Sequence, residues 1–311
     1  MVDNPTVIPE PEPEPTARRH PPLPQSPSWA IGLEIGLVLR RPPRLLGIDP
    51  FYAEFIAGME RVLAVRDGSV LLQVVPSLTK ETETYRRWAA SGQVAGVVLA
   101  DLVDDDGRAD FLRTLGIPAL VLGEKAPPAG VAAVQVDNYA AMTDAVTRLA
   151  DLGHRRIGRV SGPRPLLHTR ARTEAFEDAT ADLGAHGVVV EGDYTEESGG
   201  RATRSLLGLA DPPTAIIYDN DLMAVAGLGV AAELGIDVPG SLSLLAWDDS
   251  ALCQLATPPL SVMSRDVRAL GEMAAGALLG LIRDEVPVIL PAPSPRFITR
   301  GSTATAPPDP R

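Results

Sequence analysis

The chain contains the segment Thr214-Ala-Ile-Ile-Tyr-Asp-Asn-Asp-Leu-Met-Ala224, which has the pattern of a buried strand that runs directly into a helix. Residues 214–218 form a short apolar run, and the side-chain oxygens of Asn220 and Asp221 can accept hydrogen bonds from the first N–H groups of the helix. In open α/β sheets, small molecules bind beyond the carboxyl ends of strands, where helix N-termini present free N–H groups. The segment therefore predicts a ligand site or, as the simpler alternative, a helix cap alone.

Strand-like segments alternate with segments of helical periodicity from Ile31 onward. The strand-like runs are residues 36–39, 70–75, 94–100, 117–122, 156–160, 187–190, 215–218 and 242–247. Strands separated by helices of about 10–15 residues are typical of parallel sheets with right-handed crossovers. A chain of 311 residues exceeds one typical domain. The sequence thus predicts an α/β protein with two doubly wound parallel-sheet lobes.

Composition limits the classes of function. The net charge of −12 disfavours direct contact with a polyanion, because nucleic-acid affinity depends on Lys and Arg neutralising phosphates. The single cysteine, Cys253, excludes an internal disulfide framework and is expected to be a buried apolar residue. We find no apolar run of membrane-spanning length and no export signal. These features predict a cytoplasmic protein with no membrane partner.

Motifs for catalysis or cofactor binding are not recognisable. The run Gly227-Leu-Gly-Val-Ala-Ala232 imitates a dinucleotide fingerprint, but its glycines fall inside a predicted helix, where close packing explains them better. The run Asp104-Asp-Asp-Gly107 lacks the ligand spacing of a calcium loop and is expected to be a solvated loop or helix start. We therefore predict a protein that is not an enzyme, with no catalytic residues, no metal site and no cofactor.

Further motifs lie on both sides of residues 214–224. They are Leu152-Gly-His-Arg-Arg-Ile-Gly158, Gly162-Pro163, Ser243-Leu-Leu-Ala-Trp-Asp-Asp249, Thr257-Pro-Pro-Leu-Ser261 and Phe297-Ile-Thr-Arg-Gly-Ser302. In this order and spacing, residues 30–303 resemble the effector-binding core of the lactose/galactose-repressor (LacI/GalR) family of bacterial transcription regulators. Several motifs in register are more specific than any one of them.

This resemblance implies a type I periplasmic-binding-protein-like arrangement with a cleft between the lobes. In this arrangement, the chain would cross between the lobes near Asp137, Ser264 and Leu290. The N-terminal lobe would comprise residues 30–137 plus 264–290, and the C-terminal lobe residues 138–263 plus 291–303. A flexible tail would follow at residues 304–311. The resemblance also implies a homodimer.

The first 29 residues depart from the family pattern. They are rich in proline interleaved with glutamate, which predicts a disordered leader. A helix-turn-helix and hinge helix cannot be built from such a segment. DNA is therefore expected to be a partner only through a missing or partner DNA-binding domain.

The residues implied to bind the effector are Arg170, Asn220 and Asp248, with Tyr194 as an aromatic platform. Phe51, in Asp49-Pro-Phe-Tyr52, resembles the family's entry to the first helix, where proline begins the helix. The resemblance also implies Asp101, which lies next to Ala100, a first-lobe position where some relatives place polar ligand contacts. Planar polar groups beside an aromatic ring suit a sugar, which has hydroxyls around one apolar face.

Each of these residues also has a structural alternative. Arg170 could be a surface helix residue, Asp248 a cap, Tyr194 a lobe-surface aromatic, and Phe51 a core residue.

Three functions are compatible with the sequence. The first is a sensing domain of a LacI/GalR-type regulator, which binds a small effector, a sugar or sugar derivative, between its lobes. The second is the solute-binding protein of a transporter, which shares the fold but should carry an export signal. The third is an enzyme, because a fold alone does not define a function.

Overall fold

The computed structural model describes residues 33–40, 50–123, 127–284 and 286–308, which form two mainly parallel β-sheets. The predicted leader at residues 1–29 and Asp49 lie outside these ranges. Within them, no helix is both long enough and apolar enough to cross a bilayer.

The first lobe consists of one six-stranded sheet with helices on both faces. Strands and helices are numbered along the chain. The strands of this lobe are β1 (Glu34–Arg40), β2 (Ser69–Val75), β3 (Gly96–Leu99), β4 (Ala119–Gly123), β5 (Ala132–Gln135) and β11 (Ile289–Pro291). Its helices are α1 (Pro50–Leu63), α2 (Leu78–Ser91), α3 (Arg108–Thr114) and α9 (Val267–Asp284).

The second lobe repeats this plan. Its strands are β6 (Arg156–Ser161), β7 (His186–Glu191), β8 (Ala215–Tyr218), β9 (Ser243–Trp247), β10 (Ser261–Ser264) and β12 (Arg296–Ile298). Its helices are α4 (Asn138–Asp151), α5 (Leu167–Asp182), α6 (Glu196–Leu207), α7 (Asp221–Glu233) and α8 (Ala251–Leu255).

Both sheets have the same strand order. The first runs β2-β1-β3-β4-β5-β11 and the second β7-β6-β8-β9-β10-β12, with parallel pairing except between β10 and β12. The order reverses between β1 and β3 in one sheet and between β6 and β8 in the other. Such reversal points open a crevice at the carboxyl ends of the strands. The structure confirms the predicted fold class.

The described chain passes between the two sheets after β5, after β10 and after β11. Strand β10 belongs to the second sheet, whereas α9, which follows it, packs on the first lobe. Residues at these connections can therefore face both lobes. Arg265, between β10 and α9, is one of them.

Alternating side chains of the central strands form the cores. In β1, Ile35, Leu37 and Leu39 pack on the α1 and α9 side, while Val38 packs on the opposite side with Trp88. Successive side chains of a strand point to opposite faces of its sheet, so β1 is buried on both. This explains why its sequence is continuously apolar rather than alternating.

Helix α7 packs closely on its own sheet. A Cβ atom at Gly227 would lie 2.1 Å from Tyr218 Oη, so the position accepts no side chain. The interpretation of the motif at residues 227–232 as close helix packing is therefore confirmed at Gly227 but not at Gly229, where a Cβ atom would meet no atom within 4 Å. Tyr218 Oη pairs with Thr203 Oγ1 at 2.9 Å, which satisfies this buried hydroxyl.

Two of the motifs that carry the family resemblance hold the second lobe together. The buried His154 pairs through Nδ1 with Thr214 Oγ1 at 2.8 Å and through Nε2 with Ser243 Oγ at 3.1 Å. Burial lowers the pKa of His154 below its usual value, which favours the neutral ring. Ser302 Oγ donates to Leu244 O at 2.6 Å and accepts from Ser261 N at 2.8 Å.

The chain remains attached to the second lobe beyond residue 303. Ala304 N donates to Ser243 Oγ at 3.1 Å, and Ala306 N donates to Leu152 O at 2.8 Å. The start of the predicted flexible tail is thus hydrogen-bonded to the lobe.

Candidate functional site

A cavity of about 100 Å³ lies between the lobes at the carboxyl ends of their strands. Five residues proposed from the sequence line it: Phe51 and Asp101 from the first lobe, and Tyr194, Asn220 and Asp248 from the second. Other polar side chains in its wall belong to Asn138, His168, Arg172, Asp219 and Arg265. The cavity is therefore rich in groups that can exchange hydrogen bonds with hydroxyls.

Three residues of this wall have left-handed backbone conformations. Asp101 has φ 51°, and Tyr194 and Asp248 both have φ 69°. They follow β3, β7 and β9, respectively. Such conformations cost roughly 1–3 kcal/mol for residues other than glycine and concentrate at binding sites. Here they turn the chain sharply after each strand and place the side chain at the cavity.

Asn220 both caps α7 and lines the cavity. Its Oδ1 accepts from Met223 N at 3.0 Å, and its Nδ2 donates to Tyr194 O at 3.0 Å. The capping role considered from the sequence is therefore confirmed. The second bond ties the α7 cap to the left-handed turn at Tyr194, so two elements of the wall are held together.

Asp248 faces Arg265 at the connection between lobes. Its Oδ1 accepts from Arg265 Nε at 2.6 Å and its Oδ2 from Arg265 Nη2 at 3.1 Å. The guanidinium carbon also lies 4.9 Å from the centre of the Phe51 ring. A bidentate, partly buried pair fixes the carboxylate plane more firmly than a single contact would. Arg265 had no sequence signal beyond its place at a lobe crossing.

The structure does not bring Arg170 to this cavity, which corrects its placement beside Asn220 and Asp248. Its exposed side chain pairs with Asp104 and lines a separate surface groove. Arg172, two positions later in α5, lines the cavity instead. Two residues advance a helix by about 200°, so these arginines point to opposite faces. Motif spacing identified the helix but not the face.

Arg172 is nearly fully buried and has several partners. Its Nε donates to Asn138 Oδ1 at 2.9 Å, and its Nη1 donates to Asp219 O at 3.3 Å. The guanidinium carbon lies 4.0 Å from the centre of the Trp247 ring. Burial lowers the pKa of Arg172, partly offset by the charge of Asp219, although a guanidinium stays protonated in proteins. Arg172 thus supplies a fixed positive charge to the wall.

Asp219 is a second buried charge of the wall. Its carboxylate accepts from Arg159 Nε at 2.9 Å and Nη2 at 2.7 Å, and from Gly162 N at 3.0 Å. Burial opposes its ionisation, but the charges of Arg159 and Arg172 and these hydrogen bonds hold its pKa below the usual value. Asp219 is therefore ionised, and it orients Arg172. In the sequence, Asp219 stands directly before the helix cap and carries no signal of its own.

His168 and Tyr194 form a hydrogen-bonded pair. His168 Nε2 lies 2.7 Å from Tyr194 Oη, which is also 3.3 Å from Thr169 Oγ1. Burial, with the nearby charge of Arg172, lowers the pKa of His168 to about 4. Burial raises the pKa of Tyr194 above its usual value. Both rings are therefore neutral at physiological pH.

Gly162 makes room for Tyr194. A Cβ atom at Gly162 would lie 2.1 Å from Tyr194 Oη. The glycine of the Gly162-Pro163 motif is therefore explained by the need to seat this aromatic ring at the end of β6.

The two lobes also meet beside the cavity. Val103 and Leu166 form an antiparallel bridge, and Leu167 N donates to Leu102 O at 2.9 Å. Together with the pair between Arg170 and Asp104, these contacts define a side contact between the lobes. Leu102 and Leu167 line the cavity, so the side contact forms part of its wall.

The acidic run at residues 104–106 serves a structural purpose at Asp106. Its carboxylate accepts from Arg108 Nε at 2.9 Å, and Arg108 Nη2 donates to Ala100 O at 2.9 Å and Asp101 O at 3.1 Å. The buried Arg108 thus holds the turn that carries Asp101. Among the described residues, no cluster of His, Cys, Asp or Glu could hold a metal ion.

Comparisons with known proteins agree with this architecture. Residues 146–303 match the family described as periplasmic binding protein-like domain. The repressor CytR of Escherichia coli K12 is 31% identical over 235 residues, covering 74% of this chain and 69% of CytR. The regulator MalR of Streptomyces coelicolor is 33% identical over 256 residues, covering 76% and 72% of the respective chains.

Solved structures show the same fold. A LacI family transcriptional regulator from Bifidobacterium animalis subsp. lactis superposes with a TM-score of 0.80 at 35% identity, covering 88% of this chain and 98% of that one. A complex of the transcriptional regulator CelR with cellobiose superposes with a TM-score of 0.79 at 29% identity, covering 86% and 84%.

Proposed function

Because this chain belongs to the LacI/GalR family of transcription regulators, we propose that its two lobes sense a sugar or sugar derivative through the residues of the inter-lobe cavity. The observation that carries the proposal is the convergence of Asp101, Asn220 and Asp248 from both lobes on one cavity, beside the ring of Tyr194. Phe51 is proposed to cover the ligand from the first lobe. Arg172 takes the place that the sequence analysis proposed for Arg170.

The site chemistry supports an effector with many hydroxyls. Carboxylate, amide and guanidinium groups can form paired hydrogen bonds with neighbouring hydroxyls. Their charges are already balanced within the wall, as in the pairs of Asp248 with Arg265 and Asp219 with Arg159. A neutral polar ligand can therefore bind without leaving a buried charge unpaired. The CelR complex with cellobiose supports the sugar class by analogy.

Regulation would follow from the contacts that join the lobes. A ligand that touches both lobes favours the closed arrangement by its difference in affinity for the open and closed states. We propose that this shift changes the DNA affinity of the regulator, through a DNA-binding domain other than the described lobes. The net charge of −12 supports that division, because it disfavours direct phosphate contacts. We also propose a homodimer in the cytoplasm.

The regulator names of the relatives support this function over a transporter's solute-binding protein or an enzyme. A thermal-shift screen against monosaccharides, disaccharides, polyols, nucleosides and purines tests it. A ligand that binds only the folded protein raises the melting temperature with concentration. No response to any of these compounds would contradict the proposal.

The variant Asp248→Asn locates the binding site. Asparagine keeps the shape of the side chain and tolerates the left-handed backbone. Its amide lacks the negative charge that pairs with Arg265, and it has an NH₂ donor in place of one carboxylate oxygen that can accept a hydrogen bond from a hydroxyl. We expect affinity for a compound found in the screen to fall roughly 100-fold, on the order of 3 kcal/mol. Calorimetry measures this change, and Asp110→Asn, in an exposed pair on α3, serves as the control. Unchanged binding by Asp248→Asn would place the effector elsewhere.

A further inference from the structure

The cavity described above adjoins a second, larger one. The inner cavity has a volume of about 100 Å³. The outer cavity has a volume of about 580 Å³, and its wall includes the exposed side chains of Glu54 and Arg268. Four residues line both cavities: Phe51, Asn220, Asp248 and Arg265. These four residues, the shared wall, form the boundary across which a ligand could extend.

Arg265 is the central side chain of the shared wall. Its Nε donates to Asp248 Oδ1 at 2.6 Å and its Nη2 donates to Asp248 Oδ2 at 3.1 Å. Its guanidinium carbon lies over the Phe51 ring, 4.9 Å from the ring centre. Phe51 belongs to the first lobe and Asp248 to the second, so Arg265 joins the two lobes at the boundary between the cavities. A guanidinium has five N–H donors, and these two bonds to Asp248 use only part of that capacity.

Size indicates a ligand that occupies both cavities. Small-molecule pockets typically have volumes of roughly 300–1,000 Å³. The inner cavity falls below this range, whereas the outer cavity falls within it. A ligand that contacts Tyr194 on the inner side and also fills a pocket of ordinary size would extend past Arg265 into the outer cavity.

Charge indicates that the outer part of the ligand is neutral. The outer wall contains the carboxylates of Glu54, Asp221, Asp248, Asp249 and Asp266. The two guanidinium groups among its described lining residues are already paired: Arg268 with Glu54 at 2.7 Å and Arg265 with Asp248. Placing a phosphate or carboxylate among these acids is unfavourable, because like charges repel and the positive charge of each paired cation is already balanced by a carboxylate.

The outer wall also suits a second polyol better than a flat base. Among its described lining residues, the ring of Phe51 is the only aromatic surface, and Arg265 covers one face of it. A base would require an open stacking surface. The side chains of Ser250 and Gln254, together with the acids, offer hydrogen-bonding groups to hydroxyls instead.

We propose that the effector is an uncharged disaccharide, with one ring in the inner cavity, the second in the outer cavity, and Arg265 contacting the second ring. This inference rests on the proposed effector-sensing function and narrows its ligand class. Arg265 then determines specificity, because it keeps Asp248 oriented for the first ring and donates its remaining N–H groups to the second.

The first test compares ligands on the wild-type chain by calorimetry. The probes are maltose, cellobiose, lactose and sucrose, with glucose, galactose, glucose 6-phosphate and cytidine for comparison. We expect at least one disaccharide to bind roughly tenfold or more tightly than either monosaccharide, a difference of about 1.4 kcal/mol. Equal or tighter binding of a monosaccharide, glucose 6-phosphate or cytidine overturns the inference.

The second test separates contact with the second ring from support of Asp248. In Arg265→Met, both roles are lost, so glucose and the disaccharide that binds best should each bind more weakly. We expect the disaccharide to lose affinity by a factor roughly tenfold larger than glucose does. Equal losses would mean that Arg265 acts only on Asp248 and would overturn its assigned contact. Arg61→Met, in an exposed pair with Glu272 outside both cavities, is the matched control.

These outcomes are distinguishable from failure of the proposed function. If cytidine or another non-disaccharide binds and Asp248→Asn abolishes that binding, effector sensing stands and the disaccharide inference falls. If none of the screened compounds binds the wild-type chain, both fall.

Discussion

At the scale of single residues, the direction of a side chain matters more than its position in a motif. Arg170 and Arg172 are two residues apart in α5, yet one is exposed beside Asp104 and the other is buried against Trp247. Both would satisfy a requirement for a cation in this helix. Only the packing of α5 on the sheet shows that Arg172 faces the cavity.

This pair offers a matched comparison of stability. We expect Arg172→Met to lower the free energy of unfolding by about 2–4 kcal/mol, since it leaves Asn138 and Asp219 with unmet hydrogen-bonding groups in a buried site. Arg170→Met should change it by less than about 1 kcal/mol, because its ion pair is exposed. Urea unfolding of both variants measures these changes. The reverse ranking would contradict the assignment of the buried face.

The neutral state of His168 predicts a pH dependence of stability. Its pKa of about 4 lies below the ordinary value of 6.5, so between these values the folded chain binds fewer protons than the unfolded chain. Stability from this group therefore rises with pH across that window and is lost as pH falls from 6.5 towards 4.

The variant His168→Gln isolates this contribution. Glutamine can still hydrogen-bond to Tyr194 but does not titrate. We expect the drop in melting temperature between about pH 7 and pH 5 to be smaller in His168→Gln than in the wild type. Differential scanning calorimetry measures both drops. An equal drop in the two proteins would show that His168 is protonated as readily in the folded chain as in the unfolded one.

At the scale of elements, the site is built from junctions between a strand and the helix that follows it. After β8, Asp219 pairs with Arg159 and Asn220 caps α7. The strand end and the helix start therefore fix each other's position. The order β6-β8-β9 then brings this junction next to the one at Asp248.

Helix α7 contains two glycines in contrasting surroundings. A Cβ atom at Gly227 would lie 2.1 Å from Tyr218 Oη, whereas one at Gly229 would meet no atom within 4 Å. We expect Gly227→Ala to destabilise the protein by about 1–3 kcal/mol through overpacking. Gly229→Ala should stabilise it by about 0.5–1 kcal/mol, because alanine is the better helix former.

Urea unfolding of these two variants is the measurement, and each serves as the other's control. The prediction fails if Gly227→Ala is as stable as the wild type, because the contact between α7 and Tyr218 could then not be as close as described.

At the scale of the whole molecule, the lobes are joined on two sides of the cavity. Arg265 and Phe51 meet on one side. The side contact, with the bridge between Val103 and Leu166, lies on another. A ligand enclosed between these two contacts must enter the cavity while at least one of the contacts is open. Among the described residues, the side contact consists of one backbone bridge, the hydrogen bond from Leu167 N to Leu102 O and an exposed ion pair, so we infer that it opens more readily.

A disulfide across the side contact tests this inference. In an antiparallel bridge, opposed Cα atoms are about 4.5–5.5 Å apart, which suits a disulfide. Val103→Cys combined with Leu166→Cys should therefore lock the lobes when oxidised. We expect association of a screened ligand to slow by roughly tenfold or more, since entry would require opening. Addition of a reductant should restore it.

Native Cys253 should not interfere, because it is buried and its pKa is raised to about 12 by burial. Stopped-flow fluorescence measures the association rate, and the single variant Val103→Cys is the control. An unchanged rate in the oxidised double variant would mean that the ligand enters by another route.

The repeated strand and helix pattern is predictable from the sequence because that pattern is local. Continuous apolar runs such as β8 identify buried parallel strands, and Asn220 identifies the following helix start. Five of the six proposed site residues line the cavity for the same reason, since they stand at strand ends or at the start of a helix. The sequence does not identify strands β5, β10, β11 and β12, because short strands near a sheet edge are defined by their partners.

The tertiary structure alone assigned the remaining features. Arg172, Asp219 and Arg265 became recognisable only when α5, β8 and the connection after β10 met at one cavity. Periodicity locates a residue along an element, but the face it presents depends on how that element packs. The sequence alone thus established the lobes and the strand ends where a ligand could bind. Packing between distant segments determined which charges meet there, because their energies depend on burial and on partners far apart in the chain.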